Sequence, residues 1–546
     1  MSRFIRYTVL GLTLVMVGLL AGFQIKGRFG SAAPLTLDQS LRKFQQALRF
    51  VEQNYVEEPS EAKLVEDAIR GMMKGLDPHS FYIPASDMQG MQEEMEGSFE
   101  GIGIQFNILD DTIYVEHPLP GGPSEKLGIL TGDRIVKVED SVVAGIGITN
   151  AQVTRLLKGP SNTQVRVSIL RRGTPGLLEF NITRGKIPIN SVDYAYMIAP
   201  EVGYIRVTRF AETTYDEFKE QLSRLQEAGM QTLVLDLRGN PGGYMTMAYK
   251  MADEFLTAGK LIVSTDGRIA QSRQEYRSTS SIGSFEEGAV IVLLDYGSAS
   301  ASEIVAGALQ DHDRGLLIGV RSFGKGLVQI QEEFEDGSAL RLVISKYYTP
   351  SGRCIQKPYQ VDDEEYEREI ADRFQSGEVF DPSKTTFPDS LKYSTAGGRT
   401  VYGGGGIFPD IFVPNDTSGG SKYLTDLTIN DLFRRFSLDY ADRHAELLQR
   451  YPSASAFISG FSADAGILRA FTDYAAAHGV PYSAAGLEAS RRHIENRIKA
   501  FLGRRLYNDE AFYPVLHQND PVIQEALRQV PTARRVAAGD FSALKP

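Results

Sequence analysis

Three short segments, 232–237, 289–294 and 316–320, are built largely of apolar residues, and each runs into a loop that carries glycine. Segments this short and this apolar read as strands buried on both faces, and a sheet covered by helices buries strands in that way. Helical stretches lie between them. Phe218, Leu222 and Leu225 share one face at 215–228, a second stretch runs from about 246 to 256, and a third reaches about 310. A further strand at 202–207 comes before the first helix. Strand–turn–helix units of this kind predict a mostly parallel sheet. Ligands on such sheets sit beyond the carboxyl ends of the strands. Two loops lie at that end: Arg238-Gly239-Asn240-Pro241-Gly242-Gly243, and Gly297-Ser298-Ala299-Ser300-Ala301-Ser302-Glu303.

The sequence ahead of this core has a different period. Ile102, Ile104 and Phe106 alternate, as do Ile113 with Val115, Val165 with Val167 and Ile169, and Leu178 with Phe180 and Ile182. One short helix at 150–158 carries Val153, Leu156 and Leu157 on one side. The reading is a small β-rich domain at 98–186. Its loop Gly101-Ile102-Gly103-Ile104, with the stretch from Gly128-Ile129 to Gly132-Asp133-Arg134-Ile135, resembles a PDZ domain. In such a domain the N–H groups of the loop receive a peptide's terminal carboxylate, and the peptide adds as a strand to the sheet edge. Glycines there let the backbone approach the ligand. No third glycine opens a helix after a strand, so the loop is not a dinucleotide fingerprint.

The 546 residues predict about three or four domains. Residues 1–30 read as a signal anchor: Arg3 and Arg6 precede an apolar run at 7–25, with Lys26 and Arg28 after it. Ser31-Ala32-Ala33 would also suit cleavage. Residues 38–97 read as helices, with Leu41, Phe44, Leu48 and Val51 on one face, interrupted by Gly75-Leu76-Asp77-Pro78-His79-Ser80. The core spans 187–415. Residues 416–546 form a polar helical extension whose apolar positions, Leu427, Leu432, Phe433 and Phe436, suit packing and offer no chemistry. A net charge of −11 disfavours a grip on nucleic acid. The single cysteine, Cys354, excludes an intrachain disulfide and a multi-cysteine zinc site. The seven histidines are scattered and no HExxH occurs, so neither metal nor organic cofactor is expected.

A serine at a strand-to-helix turn can simply cap the helix, and Ser302 suits that role beside Glu303. Ser300 stands on the turn itself, where a hydroxyl projects into a cleft and backbone N–H groups face a developing oxyanion. Ser298 and Ser302 compete with it on local sequence. A nucleophilic serine needs a base. His312 lies at a polar helix end, 12 residues from Ser300. Lys325 lies in Ser322-Phe323-Gly324-Lys325-Gly326, among apolar neighbours that would suppress its charge, although a surface turn would also explain it. Gln329, four residues on, shares a face with Lys325 in an extended chain and can aim the amine.

Taken together, Gly297 to Gln310 and Ser322 to Gln329 resemble the carboxy-terminal processing (tail-specific) serine proteases. Leu76 to Ser80, the PDZ-like insert, Asp236 to Gly243 and Gly403 to Asp410 fit the same family in the same order. The resemblance spans about residues 38–415. It implies a crotonase/ClpP-like α/β core with an inserted PDZ domain, N-terminal helices and a helical C-terminal extension. It implies Ser300 as nucleophile, Lys325 as base, Gln329 as its orienting partner and Asp311 as a further site residue. The implied oxyanion donors are the N–H groups of Ala301 and of the Gly242-Gly243 turn, Gly243 above all. The implied partners are proteins with unstructured C-terminal tails, met in the cell envelope on the periplasmic side of the membrane; a homo-oligomer stays open. Rival readings on the same residues are an inactive PDZ scaffold, a carrier of hydrophobic small molecules, and a hydrolase that uses His312.

Overall fold

The computed structural model describes residues 36–119, 121–359, 364–414, 416 and 419–544, together with Thr13 and Met16. Apart from those two residues the expected signal anchor at 1–30 lies outside the described residues. Among the described residues no helix is long and apolar enough to cross a membrane. The chain divides into two compact units, 1–73 and 74–546. The first contains the helix Leu37–Asn54, started by a capping box between Thr36 and Gln39, and most of the helix Glu61–Lys74.

The second unit holds the α/β core. Its main sheet has six strands in the spatial order Val192–Ala199, Val202–Val207, Thr232–Asp236, Ala289–Leu294, Leu316–Gly319 and Ile411–Phe412. The first pair is antiparallel and every later pair is parallel, as the strand–turn–helix pattern predicts. The helices Thr214–Glu227, Met245–Asp253 and Ala301–Asp311 cover one face, where Phe218, Met251 and Val305 pack with Ile205, Leu235 and Val292. Tyr204, Val234, Ile291 and Ile318 point to the other face, and Ile523, Ala526 and Ala533 of the C-terminal extension cover them. Burying a side chain the size of Ile523 contributes about 1.5–3 kcal/mol. The end of the extension is therefore part of the core and not an appendix to it.

A second sheet, unread in the sequence, stands beside the first. It joins Phe81–Ile83, Ala339–Tyr348, Leu261–Gly267 and Gln274–Arg277, and Leu327–Glu333 pairs with Ala339–Tyr348. Its strand Leu327–Glu333 carries Gln329, Gln331, Glu332 and Glu333, so it lacks the continuous apolar signature.

The β-rich insert is a sheet ordered Ile104–Leu109, Thr112–Pro118, Arg134–Val138, Gln164–Leu170 and Leu178–Thr183, with the helix Asn150–Leu157. Ile104–Leu109 is an edge strand. The two ends of the insert form one antiparallel ribbon, Ser98–Gly101 with Gly185–Pro188. The extension has its own core around Phe433, Phe436, Phe471 and Ile494. It reaches the insert through ion pairs of Arg434 with Glu116, Arg435 with Asp110 at 3.1 Å, and Asp442 with Arg172 at 3.2 Å.

Candidate active site

The turn between Ala289–Leu294 and the helix Ala301–Asp311 gives its three serines different environments. Ser298 Oγ is buried and donates to Leu237 O at 2.8 Å. Ser302 Oγ is buried and donates to Asn240 O at 3.0 Å. Ser300 is half-buried and lines a cleft of about 600 Å³. Its backbone has φ 54° and ψ −111°, a conformation that non-glycine residues pay about 1–3 kcal/mol to hold. The strained turn presents the one serine of the three that faces the cleft.

Lys325 and Gln329 line the same cleft. Lys325 Nζ donates to Gln329 Oε1 at 2.9 Å, and Gln329 Nε2 donates to His79 O at 2.5 Å. A carbonyl only accepts, so His79 fixes which end of the amide faces the lysine. The turn that carries His79 is itself tied down: Asp77 accepts from the N–H of His79 at 2.8 Å and of Ser80 at 2.7 Å. Among the described residues no hydrogen bond joins Ser300 Oγ to Lys325 Nζ; such bonds commonly tighten only around a substrate. Burial lowers the Lys325 ammonium below its ordinary value, and the charge of Arg341, another residue of the cleft, adds to the effect; Glu303 and Asp77 oppose it.

Glu303 joins the Ser300 turn to the Lys325 loop. It is fully buried and accepts from Ser300 N at 2.8 Å, Lys325 N at 2.9 Å, Gly324 N at 2.7 Å and Ser322 Oγ at 2.5 Å. Burial pushes its carboxyl up to about 7 against four donors that favour the carboxylate. The Lys325 loop is held by Arg373 of the helix Glu364–Ser376, which donates to Ser322 O at 2.7 Å and Phe323 O at 3.2 Å. The Gly403-Gly406 run packs against it backbone to backbone: a Cβ on Gly406 would stand 2.8 Å from Ser322 O.

The loop Gly239 to Gly243 forms the opposite wall. A Cβ on Gly242 would meet Ser300 Cβ at 2.8 Å, and one on Gly243, at φ 144°, would meet Phe210 O at 2.2 Å. Only glycine permits this approach. The Gly242 N–H donates to Asn240 Oδ1 at 2.9 Å, which removes it from the expected oxyanion donors. Ala301 opens its helix, so its N–H has no intrahelical acceptor. Gly243 and Ala301 are the two expected donors that remain.

Two further expectations are corrected. Asp311 does not reach the cleft. It ends the 11-residue helix that Ala301 begins, about 15 Å away along the axis. There it forms a fully buried pair with Arg353 at 2.8 Å and accepts from Ser351 Oγ at 2.7 Å. His312 lies at the same far end, with Nε2 2.6 Å from Leu261 O, and cannot serve Ser300.

Sequence reasoning missed Glu303, Asp77 and His79, Arg341, and the methionines Met88, Met91, Met95 and Met245 that make part of the cleft wall apolar. For Glu303 a signal existed, since Ser-x-x-Glu at 300–303 is a capping-box pattern. Met88, Met91 and Met95 stand on the helix Ala85–Glu96, which Glu93 ties to Lys158 of the insert. In the insert, Gly101 to Ile104 are buried, with Ile102 and Ile104 in its apolar core, which leaves the backbone as the part of this loop able to meet a carboxylate.

Comparison with known proteins agrees with the order of these parts. Residues 201–365 match peptidase family S41, and residues 114–171 match a PDZ domain. Residues 26–86 match the N-terminal domain of the activating protease CtpB, and residues 423–508 match a family of unknown function. A carboxy-terminal-processing protease of Bartonella bacilliformis is 37% identical over 351 residues, 61% of this chain and 79% of that one. The carboxy-terminal processing protease CtpA of Bacillus subtilis is 34% identical over 334 residues, 60% of this chain and 69% of that one. A solved photosystem II D1 C-terminal processing protease is 30% identical, with a TM-score of 0.33, over 59% of this chain and 91% of that one.

Proposed function

We propose, from the premise that this chain belongs to peptidase family S41 as a carboxy-terminal-processing serine protease, that Ser300 and Lys325 cut the substrate and that the PDZ domain selects it by its C-terminal tail. The observation that carries the reading is the cleft shared by Ser300 and Lys325, whose backbones the buried Glu303 bonds together.

In this mechanism neutral Lys325 takes the Ser300 Oγ proton as Oγ attacks the scissile carbonyl carbon. The carbonyl electron pair moves to oxygen, which the N–H groups of Gly243 and Ala301 receive. The lysine ammonium then gives its proton to the amide nitrogen, the C–N bond breaks, and an ester on Ser300 remains. Water cleaves that ester by the same steps, with Lys325 again the base. Gln329 aims the amine throughout. A substrate tail adds as a strand along Ile104–Leu109, with its terminal carboxylate at Gly101 to Ile104. The apolar run at 7–25 supports placing this work on the extracytoplasmic side of a membrane.

A serine-directed phosphonate followed by mapping of the modified peptide tests the reading. The label is expected on Ser300. A label on Ser298 or Ser302 assigns the wrong serine, and no label at all supports an inactive scaffold.

A further inference from the structure

The loop Gly239 to Gly243 begins directly after Arg238, and the guanidinium of Arg238 is held from two directions. On one side is Asp236, the last residue of the strand Thr232–Asp236. It accepts from Arg238 Nε at 2.9 Å, Nη2 at 2.6 Å and the backbone N–H at 3.0 Å, and from the Tyr204 hydroxyl at 2.8 Å. Asp236 is almost wholly buried; burial opposes its charge, yet Arg238 holds the carboxyl down at about 2. On the other side is Asp520, whose carboxylate stands 2.8 Å from Arg238 Nη1. Asp520 belongs to the C-terminal extension, beyond the stretch 423–508 that matches a family of unknown function. It caps the helix Pro521–Arg528, whose Ile523 and Ala526 cover the sheet.

From Arg238 onward the loop is stitched to the nucleophile turn. Asp295 Oδ1 accepts from Gly239 N at 2.8 Å and from Gly297 N at 2.9 Å. Asn240 O accepts from Ala299 N at 2.9 Å and from Ser302 Oγ at 3.0 Å. A shift of Arg238 is therefore passed along a short backbone to Gly242, which touches the Ser300 turn, and to Gly243 beside it.

We propose that Asp520 is a positioning residue for the reaction: the C-terminal extension fixes Arg238, and through it holds the oxyanion loop in place against Ser300. The inference rests on Ser300 as nucleophile with Gly243 and Ala301 as donors. It gives the last helices of the chain a part in the rate as well as in the fold. The contact acts on the transition state, because the loop receives charge only as the oxyanion develops.

The test is Asp520→Asn in the full chain. Asparagine caps a helix about as well as aspartate, so the cap stays and the charge goes. Expected are a roughly tenfold fall in kcat with KM within about twofold, below the roughly hundredfold or larger cost of losing an oxyanion donor itself. The rate of phosphonate labelling at Ser300 falls by the same factor, the thermal midpoint is unchanged, and the pH midpoint of kcat/KM stays where it was because Lys325 is untouched. In an Arg238→Lys background, where a point charge replaces the two-sided fork, Asp520→Asn costs little more. An unchanged kcat overturns the proposal. So does a loss of activity matched by loss of folded protein, with the rate per labelled site unchanged, or a full effect in the Arg238→Lys background. Ser300→Ala run beside it separates the two claims: cleavage by that variant sinks the nucleophile assignment, whereas an inactive Ser300→Ala with a fully active Asp520→Asn sinks only the role of Asp520.

Discussion

At the scale of single residues, the site works by making a lysine uncomfortable as a cation. Lys325 is half-buried beside Arg341, and its partial desolvation and the neighbouring charge both lower its proton affinity, while Glu303 and Asp77 restrain the shift. In the proposed mechanism the neutral amine is the base, so kcat/KM rises with pH as Lys325 loses its proton and levels off above that midpoint. A profile flat from pH 6 to 9 would show that no lysine titrates within that window in the free enzyme. Arg341→Gln removes a neighbouring positive charge, so the ammonium becomes easier to form and the midpoint moves to higher pH. A midpoint that moves down, or not at all, contradicts the role given to Arg341. Lys325→Arg keeps the charge but supplies no neutral base, and it is expected to be inactive across the accessible pH range. Ser300→Ala loses on the order of 10⁴–10⁶ in kcat, whereas Ser302→Ala gives up one hydrogen bond to Asn240 O and keeps most activity. Cleavage of a tailed test protein by each variant decides between them.

At the scale of elements, one helix separates what is catalytic from what is structural. Ala301–Asp311 begins at the cleft and ends in a buried ion pair, and both ends had been read as site residues. Asp311→Asn leaves Arg353 buried without its countercharge, which costs about 3–5 kcal/mol of stability. Denaturant unfolding should register that loss while phosphonate labelling per folded molecule stays within about twofold; lost labelling at intact stability would return Asp311 to the chemistry. Gln329→Ala on the strand Leu327–Glu333 is expected to act oppositely. Stability is kept, KM holds, and kcat falls roughly ten- to hundredfold, within the contribution of the base that it aims. The sequence made the parallel strands and the nucleophile turn readable because a strand buried on both faces must be apolar throughout. Lys325 and Gln329 were readable as a pair from their four-residue spacing, although Lys325 stands in the loop before the strand Leu327–Glu333 and a bulge between Val328 and Gln329, not regular extended chain, brings the two side chains together. The second sheet was not readable, since its long strand Ala339–Tyr348 is only partly buried along most of its length and Leu327–Glu333 mixes apolar residues with glutamine and glutamate. Nor did Asp77, His79 and Arg341 announce themselves: they sit far from Lys325 along the chain, and only folding brings them beside it.

At the scale of the whole second unit, the PDZ domain is held at three places. A ribbon joins it to the core, Glu93 and Lys158 tie it to the helix that lines the cleft, and Arg434, Arg435 and Asp442 tie it to the C-terminal extension. Its sheet edge stands free of a named strand partner along Ile104–Leu109 among the described residues. A tail bound there by its carboxylate has lost a charge-assisted bond once it is amidated, and the affinity falls roughly tenfold or more. The geometry also permits a sharper test. Ile189 N donates to Gly97 O at 2.7 Å, so the two chain ends left by removing 98–186 already lie side by side and a short glycine linker closes the gap. The charges left behind on the extension are wholly or partly in water, where an unpaired ion costs little. The shortened protein is therefore expected to fold, to keep cutting unfolded protein, and to lose its preference for a free apolar C-terminus over an amidated one. Complete loss of cleavage with an intact core would make the insert an assembler of the site, with the Glu93–Lys158 contact to the cleft helix as the first place to look. Unchanged preference for tailed substrates would remove the insert from recognition altogether, since no other part of the described chain has been assigned a carboxylate-binding loop.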